Sequence, residues 1–600
     1  MTAWISYIAS HPAAMLALAT KLIGITLWSA VVARRVPDRL TSWLHAWLGI
    51  QAVQIALIFM LSAFGALSRT TAWLSLLALF GSGAVAYLFA GRKFELPTRR
   101  GMALALLVAI PLVLWVLRCV ILPDFSTDAQ AYGTVRIAMW MNYRSVFVHM
   151  PSEMINIFAN EWNGELNALL YAFATGNIQG AMMGNAEILV LATIASIWAA
   201  RRFGAGITGS ALVGLLMATS PAFVGLAAVT KGDLLACVGV LMAIGLLERM
   251  TVKAFCLAAI WFALATGSKI SVIVGAAIIL CFIFATHASD FFNRRSITML
   301  VAAGAISVLF VARFVANAAI YGHPFMRVGA EAAEPGIRTL IGNMALMGNG
   351  FVGFFPVSPA NGLMFSTSLA AGLGACGWFA AAGAASGRLR LPGTHATLAL
   401  LCCASLVVTG FLIPAHVWSF RYFLPFIAVL AVMGLVAFTH AGERLRQPAR
   451  GAAVAVVIAA AVFDFWMCFI PGDISSPDHF AYAMDASIAR SPLERAMIQF
   501  PFLVDEVNPT ALGLDSGKPK TLAVLNEVSS MILVLQGSGG QNRLYLADTE
   551  AGLVQTANAH QTDYIVMAKN PYAPKRHQPF DIPGYRWIST GKYYDIAERK

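Results

Sequence analysis

Two carboxylates lie at the start of a long polar segment, directly after an apolar run. Asp124 and Asp128 follow the apolar residues 102–122. A carboxylate at a membrane surface has the chemistry of a general base. Asp128 also stands where a helix N-cap would lie, and a capping role is compatible with a catalytic one. The spacing of the two acids fits a divalent ion, but two carboxylates are too few for a dedicated site, so the sequence supports no metal or other cofactor here.

Basic residues at the ends of apolar segments form a second candidate group. Lys231, Lys269, Arg313 and Arg421 each lie at or near such an end, and Asp233 shares a tight turn with Lys231. Each cation taken alone is explained equally well as a side chain that reaches the lipid headgroups. If the four converge on one face, they would form a pocket for a phosphate group.

The composition indicates which elements must position these residues. Of the 600 residues, 59% are hydrophobic and 12% are charged, and the mean hydropathy is +0.72. Soluble domains carry about 25% charged residues, so this chain has too much apolar surface for a globular core. We therefore predict a polytopic α-helical membrane protein. Many of the cations behind the net charge of +12 lie in short loops between apolar runs, which indicates membrane lipid as a partner and not nucleic acid.

Apolar runs that suit membrane spans occur about fourteen times. Lys21 lies within the first run. A functional pathway is one explanation, but we expect a shifted helix register or a side chain that reaches the headgroups. The predicted spans are residues 12–32, 42–66, 71–90, 102–122, 184–200, 206–220, 232–247, 254–267, 270–286, 297–320, 363–385, 395–413, 421–439 and 451–470.

Basic clusters between the spans indicate the orientation. They fall in alternate loops, which the positive-inside rule assigns to the cytoplasm. The clusters are Arg34/Arg35/Arg39, Arg92/Lys93/Arg99/Arg100, Arg201/Arg202, Arg249/Lys253, Arg294/Arg295, Arg388/Arg390 and Arg444/Arg446/Arg450. The outer face then receives the long loop 123–183 and the span ends that carry the candidate cations. We therefore expect the working face to be the outer one.

Two outer segments have structure of their own. Within the loop, residues 129–143 and 151–174 have helical apolar spacing with interspersed aromatics, which favours helices lying in the membrane interface. After residue 470, strand-prone and helix-prone pieces alternate and predict a small α/β domain. The predicted strands are Thr521–Asn526, Arg543–Ala547, Tyr564–Met567, Tyr585–Ser589 and Tyr593–Ala597, with a helix at Glu550–Ala559 and a turn at Gly591.

Five motifs occur in an order that resembles a known family. They are Asp128-Ala129-Gln130-Ala131-Tyr132, Lys231-Gly232-Asp233, Ala265-Thr266-Gly267-Ser268-Lys269, Arg313 to Asn317 followed by Tyr321-Gly322-His323-Pro324-Phe325, and Arg421-Tyr422-Phe423-Leu424-Pro425. Together they resemble the GT-C-fold membrane glycosyltransferases, in particular the bacterial dolichyl-phosphate-mannose protein mannosyltransferase-like group. The sequence departs from that pattern at Gly133, where relatives carry His, and at His323, where they carry Asn.

The resemblance implies a fold of GT-C type and an activity. Residues 1–101 would be N-terminal transmembrane helices, 102–470 a catalytic membrane module that includes loop 123–183, and 471–600 an extracytoplasmic domain. The enzyme would move a sugar from a polyprenyl-phosphate donor to an acceptor hydroxyl, with inversion. It would lie in the bacterial inner membrane with its active site facing the periplasm.

The resemblance also implies roles for the motif residues. Asp128 would be the general base. The substrate would be bound by Asp124, Tyr132, Lys231, Asp233, Lys269, Arg313, Arg421 and Tyr422. The acceptor stays open between a lipid, a glycan and a protein hydroxyl.

Three other classes of protein are alternatives. A polysaccharide polymerase or ligase also uses lipid-linked glycans outside, but would lack this order of motifs. A transporter of this length typically has internal repeats, and none stands out here. A non-catalytic membrane scaffold is the third alternative, and loss of activity on substitution of Asp128 would separate an enzyme from it.

Overall fold

The computed structural model describes most of the membrane part and the core of the C-terminal domain. The described residues are 2–36, 38–90, 98–122, 133–148, 161–227, 229–324, 336–352, 393–413, 420–443, 510–514, 516–525, 535–537, 540–547, 549–568, 579–591 and 594–600, with isolated positions between 415 and 532. Asp124, Asp128 and Tyr132 lie outside the described residues, as do the predicted span 363–385 and most of 451–470.

Helices make up the membrane part. They are α1 (Thr2–Ser10), α2 (Pro12–Val32), α3 (Arg39–Ala63), α4 (Arg69–Ala90), α5 (Arg99–Ile121), α6 (Thr134–Tyr143), α7 (Asn163–Thr175), α8 (Met182–Arg202), α9 (Ile207–Thr219), α10 (Pro221–Ala227), α11 (Asp233–Leu247), α12 (Val252–Thr266), α13 (Val272–Thr286), α14 (Ala288–Phe291), α15 (Arg294–Phe310), α16 (Ala312–Tyr321), α17 (Ile337–Val352), α18 (Gly393–Leu412) and α19 (Phe420–Glu443).

Local sequence explains where several of these helices begin. Asp38 accepts a hydrogen bond from the Thr41 backbone N–H at the start of α3. Thr98 and Thr251 cap α5 and α12 in the same way, and Pro12 occupies the first turn of α2, where its missing N–H costs nothing. These caps satisfy backbone groups that a helix end would otherwise leave without partners.

The helices confirm a multi-pass membrane protein. Within the described part of the chain, six helices are long and apolar enough to cross a membrane, or seven if α15 and the first residues of α16, bent by 64°, form one broken span. Several shorter apolar helices, among them α9, α11, α12 and α13, coincide with predicted spans. The count of about fourteen stays a prediction. The predicted span 297–320 is the bent pair, so Arg313 lies just after its break.

Predicted cytoplasmic loops meet at one end of the bundle. Trp198, near the end of α8, donates to Thr41 at the start of α3. Arg202, the last residue of α8, pairs with Glu248 just after α11 at 3.0 Å. Asp233 begins α11, so it lies at the opposite end of that helix from these contacts.

The two helices of the outer loop are packed inside the protein. Every residue of α7 except Thr175 is buried, and so are residues 134–140 of α6. The expectation of helices lying in the membrane interface was therefore wrong for these segments. Aromatic residues such as Trp140 and Trp162 pack on each other there, with ring centres 6.0 Å apart. Aromatics suit a buried core as well as an interface, and the helical spacing is the same in both cases.

The C-terminal domain contains the predicted α/β core. Five strands form one sheet in the order β2-β1-β3-β5-β4. They are β1 (Thr521–Leu525), β2 (Arg543–Ala547), β3 (Tyr564–Ala568), β4 (Tyr585–Thr590) and β5 (Tyr594–Arg599), with helix α20 (Glu550–His560) between β2 and β3. The first three strands are parallel and the last two antiparallel. The predicted turn at Gly591 is confirmed by its backbone N–H, which donates to Tyr594.

The sheet contacts the outer-loop helix α6 through its edge strand. The Asn142 side chain donates to the Leu544 carbonyl at 3.0 Å and accepts from the Leu544 N–H at 3.3 Å. Gln536 donates to the Ala138 carbonyl at 2.8 Å. The Asn142 amide therefore pairs with β2 as a neighbouring strand would. It covers part of the sheet edge, which would otherwise be free to pair with another chain.

Substitution of Asn142 is expected to loosen this contact. Asn142→Ala removes both hydrogen bonds to Leu544, and unsatisfied buried groups cost about 1–3 kcal/mol. Hydrogen exchange of residues 543–547 in the full-length protein in detergent should become faster. Asn558→Ala, at an exposed position of α20, is the matched control and should leave exchange unchanged. Equal protection in both variants would show that Asn142 does not hold the domain.

Candidate active site

Glycines allow four backbone segments to meet at one end of the bundle. A Cβ atom on Gly133 would lie 1.8 Å from the carbonyl oxygen of Thr230, and one on Gly164 would lie 2.7 Å from the Cα of Gly232. A Cβ on Gly232 would in turn lie 2.3 Å from the carbonyl oxygen of Ser268. Real Cβ atoms do not approach so closely, so these positions require glycine for space. The start of α6, the start of α7 and the turns that carry Lys231 and Lys269 are therefore in direct backbone contact.

Gly133 is the position where the resembled family carries His. Its φ of −66° is open to any residue, so backbone conformation does not require glycine. The Thr230 carbonyl does, because it occupies the space that a side chain would need. The departure from the family motif is thus explained by close packing of loop 123–183 on the Lys231 turn.

A fifth segment joins this junction through Gly267. A Cβ there would lie 1.8 Å from the Phe310 carbonyl. Asn163 donates to that carbonyl at 2.9 Å and to the Leu264 carbonyl at 3.2 Å. The first residue of α7 therefore fixes the ends of α12 and α15 together.

Four of the predicted site residues form one cluster at this junction. Lys269 Nζ lies 2.7 Å from Asp233 Oδ1, and both side chains are nearly fully buried. The Lys269 ammonium lies 4.3 Å from the ring centre of Tyr422, and the Arg421 guanidinium lies 5.3 Å from the same ring. A cation over an aromatic ring is attracted by the negative face of the ring. Asp233 and Lys269 therefore converge with the neighbouring pair Arg421 and Tyr422, an arrangement that the sequence left open.

Lys231 belongs to the same electrostatic group. Its charge acts on the Asp233 carboxylate together with those of Lys269 and Arg421. It also acts on the Glu165 carboxylate. Three cations thus act on one aspartate, and Asp233 alone does not neutralise their positive charge.

Arg313 borders this cluster. It is 3% exposed, and its guanidinium lies 4.9 Å from the ring of Trp162. Trp162 adjoins Asn163, which fixes the junction. Arg313 therefore lies beside the start of α7. The neighbouring group around Tyr422 contains Asp233, Lys269 and Arg421.

Sequence reasoning missed two acids and an arginine beside the cluster. Arg136 Nη1 lies 3.4 Å from Glu165 Oε1 and donates to the Glu161 backbone carbonyl. The Glu161 carboxylate accepts from the Ile270 N–H, next to Lys269. Burial raises the pKa of the Glu165 carboxyl, and the Arg136 guanidinium opposes that shift. The one sequence signal was the i, i+4 spacing of Glu161 and Glu165 in a segment predicted to be helical.

A second buried polar network lies deeper in the bundle. Lys21 Nζ lies 2.9 Å from Glu187 Oε2 and 2.6 Å from Asn167 Oδ1. Trp47 donates to the other carboxylate oxygen at 2.6 Å, and Tyr171 donates to Oε2 at 2.8 Å. The expectation for Lys21 was therefore wrong. Lys21 is completely buried because a carboxylate on α8, distant in sequence, meets it inside the protein.

Side chains of the kinds that bind metal ions do not form a cluster in the part of the chain that the structure describes. Among the residues that the structure describes, no three His, Cys, Asp or Glu side chains lie close enough to hold a metal ion. Asp124, Asp128 and Tyr132 are outside those residues, and their roles stay predictions.

The architecture is similar to two solved structures of ArnT from Cupriavidus metallidurans. One is bound to undecaprenyl phosphate and has a TM-score of 0.51, and the other is in the apo state and has a TM-score of 0.50. Each is 13% identical to this chain, and each match covers 83% of this chain and 98% of ArnT. ArnT has the fold of GT-C glycosyltransferases. This chain has the GT-C fold.

Comparison of sequences alone does not identify the GT-C fold. No family model matches this sequence, and no curated protein does. The likeness to ArnT therefore concerns the arrangement of helices and domains. The match extends over nearly all of ArnT and over most of this chain.

The Lys21–Glu187 pair is expected to be essential for stability. Lys21→Met leaves the Glu187 carboxylate buried without its counter-ion, which typically costs about 3–5 kcal/mol. Thermal unfolding of the purified protein in detergent should show a clear fall in Tm. Lys21→Met combined with Glu187→Gln removes both charges. The amide oxygen keeps an acceptor for Trp47 and the amide N–H can donate to the Tyr171 hydroxyl, so the double variant should recover much of the loss. A single variant as stable as wild type would contradict the buried pair.

Proposed function

We propose that this protein transfers a sugar from a polyprenyl-phosphate donor to an acceptor hydroxyl, with inversion at the anomeric carbon. The observation that carries the proposal is the convergence of Lys231, Lys269 and Arg421 around Asp233 and Tyr422 within a GT-C fold. One of the two ArnT structures contains undecaprenyl phosphate, and such a lipid phosphate is the ligand that this group of cations suits.

The cation cluster would bind the phosphate of the donor. Lys269 and Asp233 are both buried, and at such a site fixed charges act through a low dielectric. Asp233 holds Lys269 in place without cancelling the charges of Lys231 and Arg421. Cations placed in advance where negative charge develops stabilise a departing phosphate strongly. Arg421 suits the task because its planar guanidinium can contact two phosphate oxygens at once.

Asp128 is proposed as the base. Its carboxylate would take the proton of the acceptor hydroxyl while the hydroxyl oxygen forms a bond to the anomeric carbon. The bond from that carbon to the phosphate oxygen breaks, and its electron pair leaves with the phosphate toward the cations. Asp128 precedes Gly133 by five residues, a length of chain that spans at most about 18 Å. The Gly133 contact with Thr230 supports the proposal, because it anchors the chain at the Lys231 turn only five residues after Asp128.

The remaining predicted residues would orient the substrate. The Tyr422 ring lies close to both Lys269 and Arg421 and would pack beside the phosphate. Arg313, at the broken span, would contact the donor from the Trp162 side. Asp124 and Tyr132 flank Asp128 in sequence and are proposed to contact the sugar or the acceptor.

The proposed location is the bacterial inner membrane with the cluster on the periplasmic side. Two facts support it. The basic residues Arg202, at the end of α8, and Lys253, in the first turn of α12, lie at the end of α11 opposite Asp233, and the cytoplasmic ends of spans are enriched in such cations. Nucleotide sugars are cytoplasmic, so a transferase that works on the outer face needs a donor attached to lipid.

Asp128→Asn tests the base directly. The amide keeps the size of the side chain but cannot accept the hydroxyl proton, so turnover should fall by about 10²–10⁴-fold. The assay is release of undecaprenyl phosphate from a labelled lipid-phosphate sugar by purified protein in nanodiscs. Asp290→Asn, an exposed acid after α13, should retain full activity. Near wild-type turnover of Asp128→Asn would remove Asp128 from the chemistry.

Arg421→Ala tests the phosphate contact. Loss of a charge-assisted hydrogen bond of about 1.5–3 kcal/mol should raise the apparent KM for the lipid donor about ten- to a hundredfold. Arg338→Ala removes an exposed cation elsewhere and should leave KM unchanged. An unchanged KM in Arg421→Ala would exclude this arginine from donor binding.

A further inference from the structure

A long apolar groove lies between the N-terminal helices α2, α3 and α4, against α7. Its volume is about 570 Å³. At one end it is lined by Trp28, Val32 and His45, and at the other by Leu67 and Phe173. The groove follows the long axis of α3 for several turns and is separate from the Asp233 cluster.

The groove suits a hydrocarbon chain better than water. The groove is large enough for many water molecules. Each of them needs two to four polar partners, and the lining is almost entirely apolar. Val53, which lines the groove, is 69% exposed, so the groove opens at the outer surface of this apolar bundle. In a bilayer, that surface faces lipid chains.

Cations lie at one end of the groove. Arg34 and Arg35 are exposed one turn or less beyond Val32, and the Arg34 guanidinium donates to the Phe89 carbonyl at the end of α4. The charge of Lys253 acts on His45, which lines the groove, and so does the opposite charge of Asp38. Asp38 is the cap of α3 and accepts from Thr41. Three cations against one acid favour an anionic headgroup at this end.

The end of the groove that carries Arg34 and Arg35 is not the end at which the phosphate of the sugar donor would bind. Thr41, which follows Asp38, is bonded to Trp198 near the end of α8, and α8 continues to the Arg202–Glu248 pair. That pair lies at the end of α11 opposite Asp233. A donor whose phosphate lies in the Asp233 cluster would therefore have its phosphate at the other end of the bundle.

We propose that this groove binds an acyl chain of an anionic membrane phospholipid, with the headgroup held by Arg34 and Arg35. The site is built from α2, α3 and α4, and its inner wall is Leu169, Leu170 and Phe173 of α7. Bound lipid thus supports the helix that begins at the catalytic junction. The proposal concerns lipid binding and stands whether or not the protein transfers sugar.

The test fills the groove and measures lipid-dependent stability. Gly49 lines the groove, and a Cβ there meets no atom within 4 Å, so Gly49→Trp places an indole in open space. Val53→Trp does the same from a second position. Gly304→Trp is the matched control, because Gly304 on α15 is also exposed with open space around it but lies outside the groove. Phosphatidylglycerol, phosphatidylcholine and undecaprenyl phosphate are each added to delipidated protein.

Phosphatidylglycerol should raise the Tm of wild type and of Gly304→Trp more than phosphatidylcholine does. Gly49→Trp and Val53→Trp should each lose more than half of that rise. Arg35→Gln should reduce the difference between the two phospholipids. Equal rises with both phospholipids, or a full rise in both groove variants, would overturn the proposal. So would a rise with undecaprenyl phosphate alone that the groove variants abolish, because the groove would then be a site for the donor lipid.

Discussion

The structure depends on the pairing of charges that are buried in an apolar bundle. An unpaired charge in such surroundings is costly, so each buried ion must meet a partner of opposite sign. Within the described part of the chain, three pairs do so, namely Lys21–Glu187, Arg136–Glu165 and Lys269–Asp233. The first joins the N-terminal helices to α8, the second joins the two outer-loop helices, and the third joins two hairpin turns. Each pair therefore specifies which elements are neighbours.

Close backbone contacts set the geometry that these pairs stabilise. The glycines at 133, 164, 232 and 267 remove the side chains that would hold the segments apart. As a result, the Lys231 turn is enclosed between loop 123–183 and the Lys269 turn. The C-terminal domain holds the far end of α6 through Asn142. A loop helix of ten residues thus connects the site to the sheet, and its position is fixed at both ends.

Much of the fold was predictable because its signals are local. The five strands and the helix of the C-terminal domain lie within one or two residues of their predicted bounds, since alternation and turn residues act over short stretches. The sequence also places the candidate charges at span ends. It left open whether Asp233, Lys269 and Arg421 converge, because positions along the chain do not show which span ends are neighbours.

What sequence reasoning missed depends on contacts between distant residues. Lys21 and Glu187 are 166 residues apart, and nothing near either one indicates the other. Arg136 and Glu165 are identified as site residues only by the packing of α6 against α7, which neither segment's sequence indicates. The burial of those helices was missed because helical spacing of aromatics is the same in a membrane interface and in a protein core. In the sequence, Gly133 is only a departure from the family motif. In the structure, the Thr230 carbonyl occupies the space that a side chain at this position would need.

The central claim is that the cations around Asp233 hold the phosphate of a lipid-linked sugar. Photo-crosslinking with undecaprenyl phosphate that carries a diazirine next to the phosphate tests it most directly, with the modified peptides identified by mass spectrometry. The account predicts crosslinks in residues 229–233, 268–271 and 420–422, which free undecaprenyl phosphate competes away. Crosslinks confined to the groove residues 45–82, or spread over the chain without competition, would contradict it.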